Sequence, residues 1–274
     1  MEIVRIRITK QDLIDTYSTS YPGRTKAVVD LGRGIMAVDA EWHADLELLL
    51  LEDGSLQKDL WGINFLPHEK PENFIQYESL INIRPAHNNY SIEIESQWLR
   101  DRIKRVVDSL IDYSKGNAVE EPGATYGAEL SAEEITAFGG TTRYPCFKHH
   151  KQLTLDKWRS FEAWKRVLMI ANEFGRAKTF LKSGNIDALM GCYECALELF
   201  HITVEAGRME GISPAIIAGL LRLRERTAGL LAGRKNDEGE NQRIREELIR
   251  LDPQGYRLFQ RPTVIESSAN VPQP

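Results

Sequence analysis

The chain has 274 residues and a mass of 31.2 kDa, and at ~150 residues per domain that length predicts about two domains. Apolar residues make up 42% and charged residues 27%, which excludes a disordered or fibrous chain, and the absence of any run of ~18 consecutive apolar residues excludes a membrane-spanning helix. The formal net charge of -5 gives no general affinity for nucleic acid, although the charge is uneven: residues 1–113 carry net -6 and residues 151–274 net +3.

At the start, Ile3, Val4, Ile6 and Ile8 alternate with Arg5 and Arg7, the pattern of a half-buried strand, and without the apolar core of a secretion signal. Thr9 before Gln11-Asp12-Leu13 is an N-cap signal and predicts a short helix to about Tyr21, stopped by Pro22-Gly23. Residues 26–31 and 34–39 are β-rich runs around Gly32-Arg33-Gly34 and predict a hairpin. Residues 45–51 are read as a strand closed by the turn Glu52-Asp53-Gly54-Ser55, although Leu46 to Leu51 could be helical by composition alone. Further strands are expected over 60–66 and within 74–84, where Pro85 ends the run. Residues 95–113 form an amphipathic helix, with Trp98, Leu99, Ile103, Val106, Val107, Leu110 and Ile111 on one side. The front part is therefore α+β, an antiparallel sheet with two helices.

Residues 114–154 are rich in glycine and proline and read as a linker, with one helical turn at 131–138 capped by Ser131 and Glu134. Beyond it the pattern is helical to residue 262. One long helix or two span 158–183, Gly184-Asn185 makes a turn, and a helix follows over 186–207. Ser213-Pro214 opens the next over 215–232 with Gly233 as its stop, and a last helix covers 240–251. This part reads as a C-terminal helical bundle. The tail from 263 is polar and proline-rich and is expected to be disordered.

Two resemblances follow from these residues. His43-Ala44-Asp45 with the leucines after it, Glu52-Asp53-Gly54-Ser55, Asp59-Leu60-Trp61-Gly62-Ile63-Asn64, Ser79-Leu80-Ile81-Asn82-Ile83-Arg84-Pro85 and Asn88 together resemble a small α+β domain family of unknown function found in bacteria and archaea. The resemblance covers about residues 1–111 and implies a compact prokaryotic cytoplasmic domain, with no activity attached. Further on, Ile170-Ala171-Asn172-Glu173, Arg176-Ala177, Gly184-Asn185 and Tyr193-Glu194-Cys195-Ala196-Leu197-Glu198-Leu199 resemble, more loosely, helical proteins of unknown function from small-genome bacteria. The same stretch is similar to one tetratricopeptide hairpin, but Leu189 stands where a small alanine is usual and no second copy follows at the repeat period, so an array is not expected.

The candidate site lies in the front part. On a strand, His43, Asp45 and Glu47 share one face. Asp53, Ser55 and Asp59 flank a turn, and Asn82, Arg84 and Asn88 lie on or past a later strand. An imidazole moves protons near neutral pH, a carboxylate such as Asp45 or Asp59 orients it, and Arg84 grips a phosphate or carboxylate with its fork. Each residue also has a structural use: Asp53-Gly54-Ser55 as a turn, Asp59 as a cap, Arg84 paired to Asp45, Asn88 closing a loop. His43, Asp45 and Asp59 lack a diagnostic metal-ligand spacing, so no metal or cofactor is expected. Cys192 and Cys195 form a C-x-x-C inside a helix, and with Cys146 and His149 a zinc site can be drawn, but buried structural cysteine is the expectation. The odd cysteine count fits a reducing compartment. Arg222, Arg224 and Arg226 spread around a helix at 100° per residue and read as a solvated face, while Trp158, Phe161 and Trp164 read as core anchors. No phosphate loop, G-x-S-x-G or H-E-x-x-H occurs.

Together these observations point to a binding or interaction module. Its site is expected among Trp61, Asn64, Asn82, Arg84 and Asn88, taking a small anionic ligand. The helical part would serve for self-association or for a protein partner, and nucleic acid and membrane are not expected. The alternative is a phosphate-ester or RNA hydrolase using His43, Asp45, Asp59 and Arg84, which requires those side chains to converge in an open cleft.

Overall fold

The computed structural model describes residues 1–17, 23–113, 144, 146–233 and 237–251. The helical turn expected at 131–138 and the tail from 263 lie outside them.

Five strands form one antiparallel sheet: β1 (Glu2–Val4), β3 (Thr25–Asp30), β4 (Ile35–Val38), β5 (Leu60–Phe65) and β6 (Ile75–Gln76), in the order β1-β4-β3-β5-β6. The β3–β4 hairpin turns on Gly34 at φ +64, a left-handed conformation that favours glycine. The expected first strand is split. Ile8–Thr9 (β2) leaves the sheet and pairs in parallel with Ile111–Asp112 (β7), directly after the amphipathic helix α3 (Gln97–Leu110). Helix α1 spans Lys10–Tyr17. The strand expected within 74–84 shrinks to β6, because the chain then folds into 3-10 turns at Leu80–Asn82 and Pro85–His87.

The largest correction concerns residues 45–51. They are not a strand but the core of helix α2 (His43–Glu52). Alanine, leucine and glutamate are strong helix formers, and no β-branched residue interrupts them. Alternation along the sheet then sorts two cores. Ala27, Val29, Met36, Val38, Ile63 and Phe65 pack under Leu99, Ile103 and Val107 of α3. Val28, Ile35, Ala37 and Leu60 face the other way, onto Leu46 and Leu50 of α2.

That second face is shared with the C-terminal helices α4 (Leu155–Arg159), α5 (Ala163–Ser183), α6 (Ile186–Met209), α7 (Pro214–Ala232) and α8 (Glu238–Leu251). Gly184 ends α5 at φ +71 and the Asn185 Oδ1 caps α6 by accepting from Ala188 N at 3.1 Å, which makes α5–α6 a tight helical hairpin. Trp158 is a core anchor as expected, its Nε1 donating to Thr203 Oγ1 at 3.0 Å. Residues 148–150, read as linker, are tied to α6: the Glu198 carboxylate accepts from the backbone N–H groups of Lys148, His149 and His150. One apolar core thus runs from the sheet through α2 into the C-terminal helices.

Candidate functional site

Helix α2 has no side-chain cap of its own; Trp42 at its N-cap offers no acceptor. The C-terminal helices supply what it lacks. Glu225 of α7 accepts from Ala44 N at 2.9 Å through Oε2, placing a carboxylate at the positive end of the helix dipole. Arg208 of α6 donates to the carbonyls of Leu51 (3.1 Å) and Ser55 (2.9 Å) at the other end. Asp45 in the first turn accepts from Arg222 Nε at 2.7 Å.

Between these clamps lies a buried ionic cluster. Glu47, fully buried, accepts through Oε1 from Arg84 Nη2 (3.1 Å), Arg224 Nη1 (3.3 Å) and Gln57 Nε2 (3.2 Å), and Arg224 Nη2 bonds its other oxygen. Burial would raise the Glu47 carboxyl, but Arg224 and then Arg84 outweigh it and hold it below its ordinary value. Burial pushes the Arg84 guanidinium down to about 10 against the opposing pull of Glu47. Its remaining donors serve the carbonyls of Ile81 (3.0 Å) and Gln57 (2.6 Å), so Arg84 presents no fork to a ligand. Arg224, read as part of a solvated face, is instead one of the most enclosed charges in the protein.

The other sequence-predicted residues scatter. Asp59 lies against Gly32, and burial, with help from Asp30, raises its carboxyl. Trp61 is buried, with the Arg84 guanidinium 5.5 Å over its ring. Asn82 completes the edge of β5 where β6 has ended. Its Oδ1 accepts from Gly62 N at 2.9 Å and its Nδ2 donates to Gly62 O at 2.8 Å, doing the work of a missing strand partner. Asn88 sits exposed at φ 55 and closes a 3-10 turn. No hydrogen bond or ion pair joins His43, Asp59 and Arg84 to one another among the described residues.

His43 and Asn64 remain, and they meet in an open cleft of about 220 Å³ between the sheet and α7. Its floor is a row across three strands: Lys26 on β3 stands opposite Asn64 on β5, which stands opposite Gln76 on β6. Glu225 closes it from α7, with Arg24 and Glu78 at the rim. His43 Nε2 lies 2.9 Å from the Ile63 carbonyl, which can only accept, so the proton is on Nε2 and Nδ1 faces Glu225 Oε1 at 3.9 Å. Burial pushes the Lys26 amine down, opposed by Glu225. Asn64 is 4% exposed; its Nδ2 donates to the Glu78 carbonyl at 2.8 Å, which fixes the amide orientation, and its buried Oδ1 has no hydrogen-bond donor.

Of the cysteines expected to be buried, Cys146 and Cys195 are only half-buried. Cys192 is buried, and burial, then Glu173 and Glu198, push the Cys195 thiol up to about 12, far from a reactive thiolate. His149, drawn above as a zinc ligand, pairs with Glu194 at 2.8 Å. Among the described residues no three His, Cys, Asp or Glu side chains are placed to hold a metal ion. Sequence reasoning missed Glu225 and the pairing role of Glu47. Nothing local marks either residue, since their partners lie far along the chain.

Residues 2–110 match the family described as a protein of unknown function, DUF5674, which coincides with the resemblance read over residues 1–111. No curated protein and no solved structure matches the chain.

Proposed function

We propose that this chain is a non-catalytic binding protein that holds a small polar molecule in the cleft between its N-terminal sheet and helix α7. In this reading an α+β unit over residues 1–113 and a helical unit from residue 155 build the site jointly. The helical unit also passes occupancy on to a partner or to a second copy. The observation that carries the reading is the cleft itself, about 220 Å³, where His43, Lys26, Asn64 and Gln76 from the N-terminal part meet Glu225 from α7. The free state of Cys146, Cys192 and Cys195 favours a cytoplasmic setting.

The hydrolase reading is not favoured. It needs Arg84 at an open cleft beside His43, whereas Arg84 is spent on Glu47, Ile81 and Gln57. Screening the full chain against small polar metabolites by thermal shift tests the proposal, with Lys26→Ala beside it. Stabilisation of the wild type that is lost in the variant is expected. A flat screen, or one in which both proteins respond alike, refutes it.

A further inference from the structure

The proposal that follows rests on the cleft reading above and names the class of molecule the cleft takes. Two basic and two acidic side chains line it. Lys26 and Arg24 lie at the β3 end, Glu78 follows β6, and Glu225 projects from α7. Lys26 is half-buried, its ammonium bonded to the Glu41 carbonyl; Glu225 is almost wholly buried and bonded to Ala44 N. A doubly charged anion such as phosphate would gain Lys26 and Arg24 but meet two carboxylates at short range. A simple cation would meet the reverse. A molecule carrying both charges a few bonds apart satisfies both ends at once.

The neutral groups agree. Asn64 and Gln76, in the Lys26–Asn64–Gln76 row, line the cleft with uncharged polar groups that favour neither sign of charge. An ammonium group is drawn to the carboxylates of Glu225 and Glu78. A carboxylate on the same molecule reaches the Lys26 and Arg24 side. The volume of about 220 Å³ lies below the ~300–1,000 Å³ of drug-sized pockets, which limits the guest to a few heavy atoms beyond those two groups. We infer that the cleft binds a compact zwitterion of the free α-amino-acid type, with its ammonium toward Glu225 and Glu78 and its carboxylate toward Lys26 and Arg24.

Calorimetric titration of the full chain tests this. The probes are L-alanine, L-asparagine and L-glutamate, against propionate and ethylamine, which each keep one of the two charges, and inorganic phosphate. At least one amino acid is expected to bind, with both half-molecules weaker by about ten-fold or more, the loss of one charge-assisted contact. Lys26→Met and Glu225→Gln are each expected to weaken that amino acid by a similar factor. Circular dichroism melts confirm that both variants fold, and the Gln side chain at 225 keeps an acceptor for Ala44 N. Propionate or phosphate binding as tightly as any amino acid would overturn the zwitterion inference and leave the cleft reading standing. Binding of an amino acid that neither variant weakens would overturn both, since the guest would lie elsewhere. Silence from all six probes overturns the inference, while the wider polar screen still decides the cleft reading.

Discussion

Replacing Glu47 by glutamine tests the physical argument where it is most exposed. The substitution keeps the shape and removes the charge that two guanidinium groups share. Arg84 and Arg224 both bond the Glu47 carboxylate, and all three side chains are at most 3% exposed. Without Glu47, each arginine keeps its desolvation cost and gains the repulsion of the other. Arg84 is already depressed by burial, so the loss of its counter-charge falls on a strained group. Breaking a buried ion pair from one side costs ~3–5 kcal/mol. For a protein of this size each kcal/mol moves the melting temperature by roughly 2–4 °C, so a fall on the order of 10 °C is expected. Because Arg224 belongs to α7 and Glu47 to α2, far-UV and near-UV signals are expected to fall together in one transition. Removing all three charges in Glu47→Leu/Arg84→Met/Arg224→Met removes the desolvation cost as well and is expected to recover most of the loss. Calorimetric melts and urea titrations of the four proteins make the comparison. A cost below ~1 kcal/mol for Glu47→Gln, or a triple variant worse than the single one, would falsify the account.

Other outcomes follow from single contacts. His87 is pushed down to about 3 by burial, with Arg84 and Lys58 adding to it, and burial likewise lowers His201 beside it. Since an unfolded histidine titrates near ~6.5, the neutral His87 ring stabilises the fold fully above that pH, and the contribution is lost as pH falls toward 3, by ~3 kcal/mol at pH ~4.5. Urea midpoints at several pH values should fall over this window, less steeply in His87→Gln; a flat profile contradicts the reasoning. Gly62→Ala would bring a methyl group within 2.6 Å of Ser79 Cβ, so a cost of ~1–3 kcal/mol by urea unfolding is expected, and a neutral result would mean the 80–82 turn yields freely. Asn82→Ala strips both partners from the Gly62 backbone and is expected to cost ~2–4 kcal/mol, unless water reaches the β5 edge. Cys195, raised to about 12, should react with iodoacetamide at pH 8 far more slowly than a free thiol, and rapid modification there would contradict its burial.

Much of the fold can be read along the chain because its signals are local. The β3–β4 hairpin follows from Gly32-Arg33-Gly34, the α5–α6 hairpin from Gly184-Asn185, and the start of α7 from Ser213-Pro214. Helix α2 fails that reading for a physical reason. Buried residues stand at His43, Ala44, Leu46, Glu47, Leu50 and Leu51, so the helix is enclosed by the sheet below and α7 above, and no apolar stripe marks its period. Its N-cap is no help either, since the capping carboxylate lies 181 residues away at Glu225. Composition alone, leucine and glutamate from Leu46 to Leu51, allows a helix as readily as a strand.

The same cause governs the site. His43 and Asn64 were legible as polar residues in an apolar setting, and both line the cleft. Arg84 stood out equally well and proved to be buried and saturated, because its counter-charge, Glu47, sits on the helix that was misread. Once α2 is a helix, His43 and Glu47 lie four residues apart on one face: Glu47 reaches inward to Arg84 and Arg224, and His43 turns to Ile63 and the cleft. One correction of secondary structure therefore moves the arginine out of the site and brings Glu225 in. The charge pattern of the cleft changes with it, from the anion trap that Arg84 suggested to a balanced pair of cations and carboxylates. A protein with Arg84 exposed would bind phosphate through it, so phosphate affinity that survives in Lys26→Met but is lost in a folded Arg84→Met variant would contradict the arrangement described.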